Sequence, residues 1–248
     1  MFIKILEWFD TSLNPLLAKF TGFRIVRDFP KLENVRNTIL RKLEIGIAID
    51  GGANQGQWAK RLRKSLPFIE INSFEPVSGQ FKILQSNSRS DSNWRVFHAA
   101  LGSVEGSENI NLASNNSMSA SLRNPTQHLQ AHPNVLFNGT EIIEVKRLDS
   151  FNFGNPEDLL FLKLDVQGFE IDVLKGSEKT LERVAVIEVE TSYRQMYEGE
   201  MNHTNLVSWL ESRGFEVFTI SQPSFDRNGR IGYLDCLLVN SKFIDKIS

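Results

Sequence analysis

A chain of 248 residues that is 41% hydrophobic and 23% charged has the make-up of a globular protein large enough for one sizeable α/β core. Its formal net charge of -2 provides no broad attraction to nucleic acid, and its single cysteine, Cys236, excludes an internal disulfide. No apolar run is long enough to span a membrane, and no tightly spaced Cys/His pairs suggest a metal site.

Residues 1–44 read as a helical cap, with Phe2, Ile5, Leu6, Phe9 and Leu13 at helical spacing, a break at Pro15, and Val35, Ile39 and Leu43 in a further helix. Such a cap would cover the ligand or a sheet edge; a membrane-surface helix or a dimer contact through these helices are the alternatives. Lys4, Glu7 and Asp10 interrupt the apolar pattern, unlike a signal peptide, so the cytoplasm is the expected compartment.

The second domain, 45–248, opens with an apolar strand over Ile45–Ile49, the turn Asp50-Gly51-Gly52-Ala53-Asn54-Gln55-Gly56, and a helix marked by Trp58, Leu62 and Leu66. Glycine permits a sharp turn and close ligand approach, and the following helix N-terminus presents unpaired N–H groups. A dinucleotide fingerprint needs a glycine at the middle position, where Ala53 stands, and Asp50 is poor company for a pyrophosphate. Asp50 suits an ammonium group instead. One strand later, Glu75 in Phe74-Glu75-Pro76 is placed to accept hydrogen bonds from a ribose. An ammonium beside Asp50 and a ribose beside Glu75 describe S-adenosylmethionine better than a nicotinamide dinucleotide.

A helix over about Ser78–Ser88 and a third strand over Trp94–Ala99 follow. Glu108–Leu112 reads as an extra strand, and Ala113–Gly139 as a long polar segment suited to a hydroxyl-rich acceptor or to plain solvation. Ile142, Val145 and Leu148 alternate in part. The nearly continuous apolar run Leu159–Leu164 reads as a strand buried on both faces, ending at Asp165. Then come a helix from Ile171 and Leu174 to about Gly176, a buried strand over Val184–Val189, a helix over His203–Ser212, and two final strands, Val217–Ile220 and Leu234–Val239, paired as an antiparallel hairpin.

Ligands of open α/β sheets bind outside the carboxyl ends of the strands, and Asp50, Glu75, Ala99, Asp165 and Glu190 all fall at such ends. Were S-adenosylmethionine bound there to pass its methyl group to an alcohol, some group would have to receive the hydroxyl proton. Asp165, behind an apolar strand that would desolvate it, is the first choice; capping the next helix or orienting the cofactor is its other reading. Glu170 and His98 are the further candidates. Glu170, Glu188 and Glu190 with Asp165 offer oxygen ligands to a hard cation, but carboxylates at strand ends are common without metal, and no metal is assigned.

Three motifs together, Asp50-Gly51-Gly52-Ala53-Asn54-x-Gly56, Phe74-Glu75-Pro76 and Leu164-Asp165-Val166-Gln167-Gly168-Phe169-Glu170, resemble the FkbM family of S-adenosylmethionine-dependent methyltransferases over roughly residues 45–240. The resemblance implies a Rossmann-like class I methyltransferase sheet, mostly parallel with a terminal antiparallel hairpin. It implies a cofactor site at Asp50, Gly51, Gly52, Ala53, Asn54, Gly56, Glu75, Pro76 and Asp165, with His98, Ala99, Ala100 and Leu101 near the adenine. The implied reaction is O-methylation of a small hydroxylated acceptor, a sugar or glycosylated metabolite. The third motif more often reads Asp-x-Glu-Gly-x-Glu; Gln167 in the middle can hydrogen-bond but cannot serve as a base. A nicotinamide-dependent oxidoreductase and a non-catalytic binding module are the competing readings.

Overall fold

A computed structural model describes residue 19 and residues 31–114, 119–131, 134–226 and 228–247. The apolar helical pattern expected over residues 1–30, and any oligomer contact through it, lies outside the described residues apart from Lys19. The compact unit considered below is Leu32–Ser248.

Seven strands form the main sheet: β1 (Ile47–Gly51), β2 (Glu70–Phe74), β3 (Trp94–Phe97), β7 (Leu160–Leu164), β8 (Val184–Ser192), β9 (Phe215–Ile220) and β10 (Tyr233–Asn240). Their order is β3-β2-β1-β7-β8-β10-β9. β1 pairs in parallel with β2 and β7, β7 with β8, and β2 with β3; β10 is antiparallel to both β8 and β9. The mostly parallel sheet with an antiparallel terminal pair is therefore as expected. The strand order reverses between β1 and β7, and it is at such a switch point that open α/β sheets leave a ligand crevice.

Period-two alternation gives the sheet two faces. Ile49, Leu162, Leu164, Ile187 and Val189 pack with Leu174 of α5 (Glu170–Lys175) and with Leu206 and Leu210 of α7 (His203–Glu211). Ala48, Ile71, Phe161 and Val186 pack on the other side with α1 (Leu32–Lys42), α2 (Gln57–Ser65) and α3 (Ser78–Ser88) through Ile39, Leu40, Trp58, Leu62 and Leu84. Residues Leu32–Lys42, within the stretch read as cap, are thus part of the same core as the sheet.

The third strand stops two residues early. Phe97 is its last paired residue, and Ala100–Leu101 (β4) pairs instead with β6 (Phe137–Lys146), in a second sheet of order β4-β6-β5 with β5 (Gly106–Ala113). Burial drives the change of partner: Ala100, Ile110, Ile143 and Val145 close a small core of their own with Val77. The polar stretch read as a long loop is partly tied down. Ser121 and Asn111 exchange backbone hydrogen bonds of 2.9 and 3.2 Å, and a short helix, α4, covers His128–Ala131. The remaining short helices are α6 (Glu178–Leu181) and α8 (Ile244–Ile247).

Candidate active site

Outside the carboxyl ends of β1, β2 and β7 lies a cavity of about 320 Å³, within the range of small-molecule sites. Gly52, Ala53 and Asn54 form one wall, Glu75, Pro76 and Val77 a second, and Ala100, Leu101, Ile110 and Leu122 an apolar third; Lys163 and Asp165 close the β7 side. The turn after β1 is held to β2 by Gly52 N and Ala53 N, which donate to Phe74 O at 3.2 and 3.0 Å. Gly52 has φ +78, and a Cβ there would stand 1.9 Å from the carbonyl oxygen of Asp165. Gly56, at φ +84, is needed for a different reason: its Cβ would meet the Trp94 ring at 2.6 Å. The turn's glycines thus let protein pack on protein.

Glu75 is 5% exposed and faces this cavity. Asn54 N donates to its Oε2 and Val77 N to its Oε1, each at 2.8 Å. Burial outweighs these two bonds and raises its pKa to about 7. A carboxylate oxygen has a second lone pair, so Glu75 retains capacity for further donors.

A second cavity, of about 240 Å³, adjoins the first and shares Asp165 and Gln167 with it. Its other walls are Ser119, His128, Gly168, Glu190, Ser192, Met196, Tyr197, Glu200 and Tyr233. At the neck, Gln167 has φ +53, and its Nε2 donates to Asp165 Oδ1 at 2.8 Å and to Glu190 Oε2 at 3.1 Å. Its Oε1 accepts from the Tyr197 hydroxyl at 2.8 Å, which fixes the orientation of the amide. A third carboxylate at this position would repel the two it now bridges. Burial, then Asp165, Asp235 and Glu170, hold the pKa of Glu190 well above the ordinary carboxylate range, while Lys163 opposes them.

Of the residues expected to bind the cofactor, Gly52, Ala53, Asn54, Glu75, Pro76, Ala100, Leu101 and Asp165 line the first cavity. Gly51, Gly56 and Ala99 are packed behind it. Asp50 needs correction. It is 0% exposed, accepts from Ser73 Oγ at 3.0 Å, and pairs with Lys163 Nζ at 3.3 Å. Its charge is met by a lysine of the protein, so it has no face to offer a ligand ammonium.

Among the catalytic candidates, Asp165 alone touches the cavities. Its side chain is 41% exposed, so the preceding strand does not desolvate it as expected. Glu170 is buried, and its Oε1 accepts from Val166 N and Gly168 N at 3.1 and 3.2 Å, closing the turn before α5. Burial lifts its pKa to about 8 against those bonds. His98 is exposed and stacks on Phe81 at 4.5 Å, outside both cavities. Glu188 accepts from Arg36 at 2.9 Å and Trp58 Nε1 at 3.2 Å, which accounts for its carboxylate. Among the described residues no three His, Cys, Asp or Glu side chains converge as metal ligands.

Lys163, Gln57, Trp58 and Arg61 on the first cavity, and Tyr197, Glu200 and Tyr233 on the second, were not anticipated. For Lys163 a signal existed: one cation within an otherwise apolar strand contradicts its surroundings, as functional residues often do. Tyr197 comes from a loop and Tyr233 from the start of β10, far apart in sequence, and neither carried a local signal.

The Methyltransferase FkbM domain model matches residues 50–217 of this chain. A 2-O-methyltransferase, NoeI of Sinorhizobium fredii (strain NBRC 101917 / NGR234), is 28% identical over 209 residues, which cover 81% of this chain and 86% of that protein. Among solved structures, StiE O-MT residues 961-1257 superposes with a TM-score of 0.48 at 10% identity, covering 87% of this chain and 76% of that one. Magnesium protoporphyrin IX methyltransferase (ChlM) from Synechocystis PCC 6803 with bound SAM gives 0.43 at 8% identity, covering 96% of each. These two scores are low, and the fold assignment rests on the strand order itself.

Proposed function

The chain belongs to the FkbM methyltransferase family, and from that premise we propose that it O-methylates a hydroxyl of a small acceptor, with S-adenosylmethionine in the first cavity and the acceptor in the second. The observation that carries this reading is the meeting of the two cavities at Asp165.

The residues of the first cavity fit the cofactor. Glu75 presents a carboxylate with remaining acceptor capacity, suited to ribose hydroxyls, and Ala100, Leu101, Ile110 and Leu122 offer an apolar wall for a base. When bound, the cofactor supplies a methyl group made electrophilic by its sulfonium. Asp165 stands where a hydroxyl in the second cavity would face the first, and we assign it the acceptor's proton. Holding the hydroxyl in line is itself worth about 7–11 kcal/mol. Hydrogen-bonding side chains and the Tyr197 and Tyr233 rings favour a sugar or glycosylated metabolite as acceptor, in keeping with the relative named a 2-O-methyltransferase.

Calorimetry tests the cofactor half: S-adenosylmethionine and S-adenosylhomocysteine should bind and NAD should not. Radiolabelled methyl transfer to a pool of glycans tests the acceptor half. Binding of NAD alone would return the chain to the oxidoreductase reading, and cofactor binding with no transfer to any hydroxylated acceptor would leave a binding module.

A further inference from the structure

Lys163 lies on β7 between Leu162 and Leu164, on the face that carries Phe161 toward α2. Its side chain is 8% exposed and lines the first cavity. Its Nζ is 3.3 Å from Asp50 Oδ1, 3.4 Å from Gly52 O and 3.7 Å from Asp165 Oδ2. The contact to Asp50 is a long ion pair. A charge-assisted bond of this kind ordinarily closes at about 2.7–2.9 Å. Lys163 therefore sits among three acceptors and is drawn tightly to none.

Burial works against its charge, but Asp50 and Asp165 outweigh that and hold its pKa above the ordinary lysine value. Here is a lasting cation with three donors, loosely engaged, at the wall of a ligand cavity. Asn54, Gln57 and Arg61 line the same cavity, and Glu75 marks the part suited to ribose. A ligand lying with its ribose at Glu75 has its other end free to reach the β1–β7 side. The sequence alone suggested an ammonium beside Asp50; the lysine that occupies that place reverses the sign of the group this wall would take.

We infer that Lys163 holds the carboxylate of the cofactor's amino-acid end. The inference rests on the first cavity being the S-adenosylmethionine site, as proposed above. Lys163 is then a ligand-binding residue as well as the counter-ion of Asp50, and its loss acts on one functional group of the ligand.

Calorimetry on the full chain with two probes tests this: S-adenosylhomocysteine, and its decarboxylated analogue, which keeps the amine and thioether. Wild type should bind the first at least about tenfold more tightly, a difference of about 1.4 kcal/mol. Lys163→Met should erase that preference, leaving the two ligands alike. This substitution strips the buried Asp50 of its partner, so the double variant Asp50→Asn/Lys163→Met, which removes both charges, is measured beside it. Arg61→Ala is the third arm. Arg61 is the other cation on the cavity wall among the described residues, and the preference should survive its removal. That survival alone supports Lys163 if neither lysine variant folds. The inference is overturned if wild type binds both probes alike, if the preference outlives Lys163, or if Arg61→Ala abolishes it. Should wild type bind neither probe, it is the cofactor reading of the cavity that has failed.

Discussion

The two cavities share Asp165 and Gln167 and differ in almost everything else. The first is built at the ends of three parallel strands, from residues within a few positions of β1, β2 and β7, with one apolar wall supplied by the small second sheet. The second takes Ser119 from a loop, His128 from α4, Met196, Tyr197 and Glu200 from a second loop, Glu190 and Ser192 from the end of β8, and Tyr233 from β10. Its carboxylates, Asp165, Glu190 and Glu200, stand among tyrosines, and among the described residues the lining holds no lysine or arginine. A cavity on strand ends has its geometry set by the hydrogen-bonded sheet and suits a ligand that does not vary. One assembled from loops can change its lining without disturbing the core, as suits an acceptor that differs between relatives.

That contrast predicts that damage at the shared Asp165 hits chemistry, damage to the first cavity hits the fold or cofactor binding, and damage at an exposed residue outside both touches neither. The largest effect should come from Asp165→Asn, which keeps shape and loses proton affinity. Turnover should fall by roughly 10²–10⁴, with cofactor affinity nearly unchanged. Equal, modest losses in both would make Asp165 an orienting group and leave the proton to another residue of the second cavity. Single-turnover rates and calorimetry on the same preparation decide between the two.

Gly52→Val comes next. The residue sits at φ +78, and its Cβ would fall 1.9 Å from a backbone carbonyl oxygen that cannot swing aside. Backbone strain of about 1–2 kcal/mol and overpacking of about 1–3 kcal/mol together predict a loss of about 2–5 kcal/mol, with about 3 kcal/mol as the central value. For a domain of this size the melting temperature should drop by about 6–12 °C. A variant that melts like wild type and merely fails to bind would mean that the glycine is there for the ligand, contrary to the packing described above.

Glu75→Ala should weaken cofactor binding by roughly tenfold or more, since each charge-assisted bond is worth about 1.5–3 kcal/mol. The same residue makes binding depend on pH. Its pKa is raised to about 7, so below that value the free protein carries a proton there. Ribose hydroxyls donate to the ionised form, and binding must release that proton. Affinity should therefore fall by about tenfold for each pH unit below 7 and level off above it. Calorimetry in buffers of different ionisation enthalpy would count the proton; a flat profile would separate Glu75 from the ribose.

The smallest effect belongs to His98→Ala. The imidazole is exposed, outside both cavities and stacked on Phe81, so stability should change by no more than about 0.5 kcal/mol and turnover not at all. A tenfold loss of rate would return His98 to the site.

Much of this contrast was legible in the linear sequence. The glycine turn after β1, the carboxylate after β2 and Asp165 after β7 each follow a run of strand-forming residues, and the rule that ligands gather at the carboxyl ends of parallel strands joins them without knowledge of any side chain. Local patterns decide such features because strand, turn and helix are specified by neighbours a few residues away. Which charge meets which was decided only in three dimensions. Asp50 and Lys163 are far apart in sequence and face each other because β1 and β7 are adjacent in register, Asp50 opposite Lys163. That pairing withdraws Asp50 from any ligand and brings Lys163 to the cavity. Glu170 likewise has the local look of a catalytic carboxylate, and the fold uses it to close a turn. The carboxylates and tyrosines of the second cavity converge from loops and from β8 and β10 with no shared spacing. No periodicity records contacts of that kind, because they depend on how separate segments pack and not on the order in which the chain lists them.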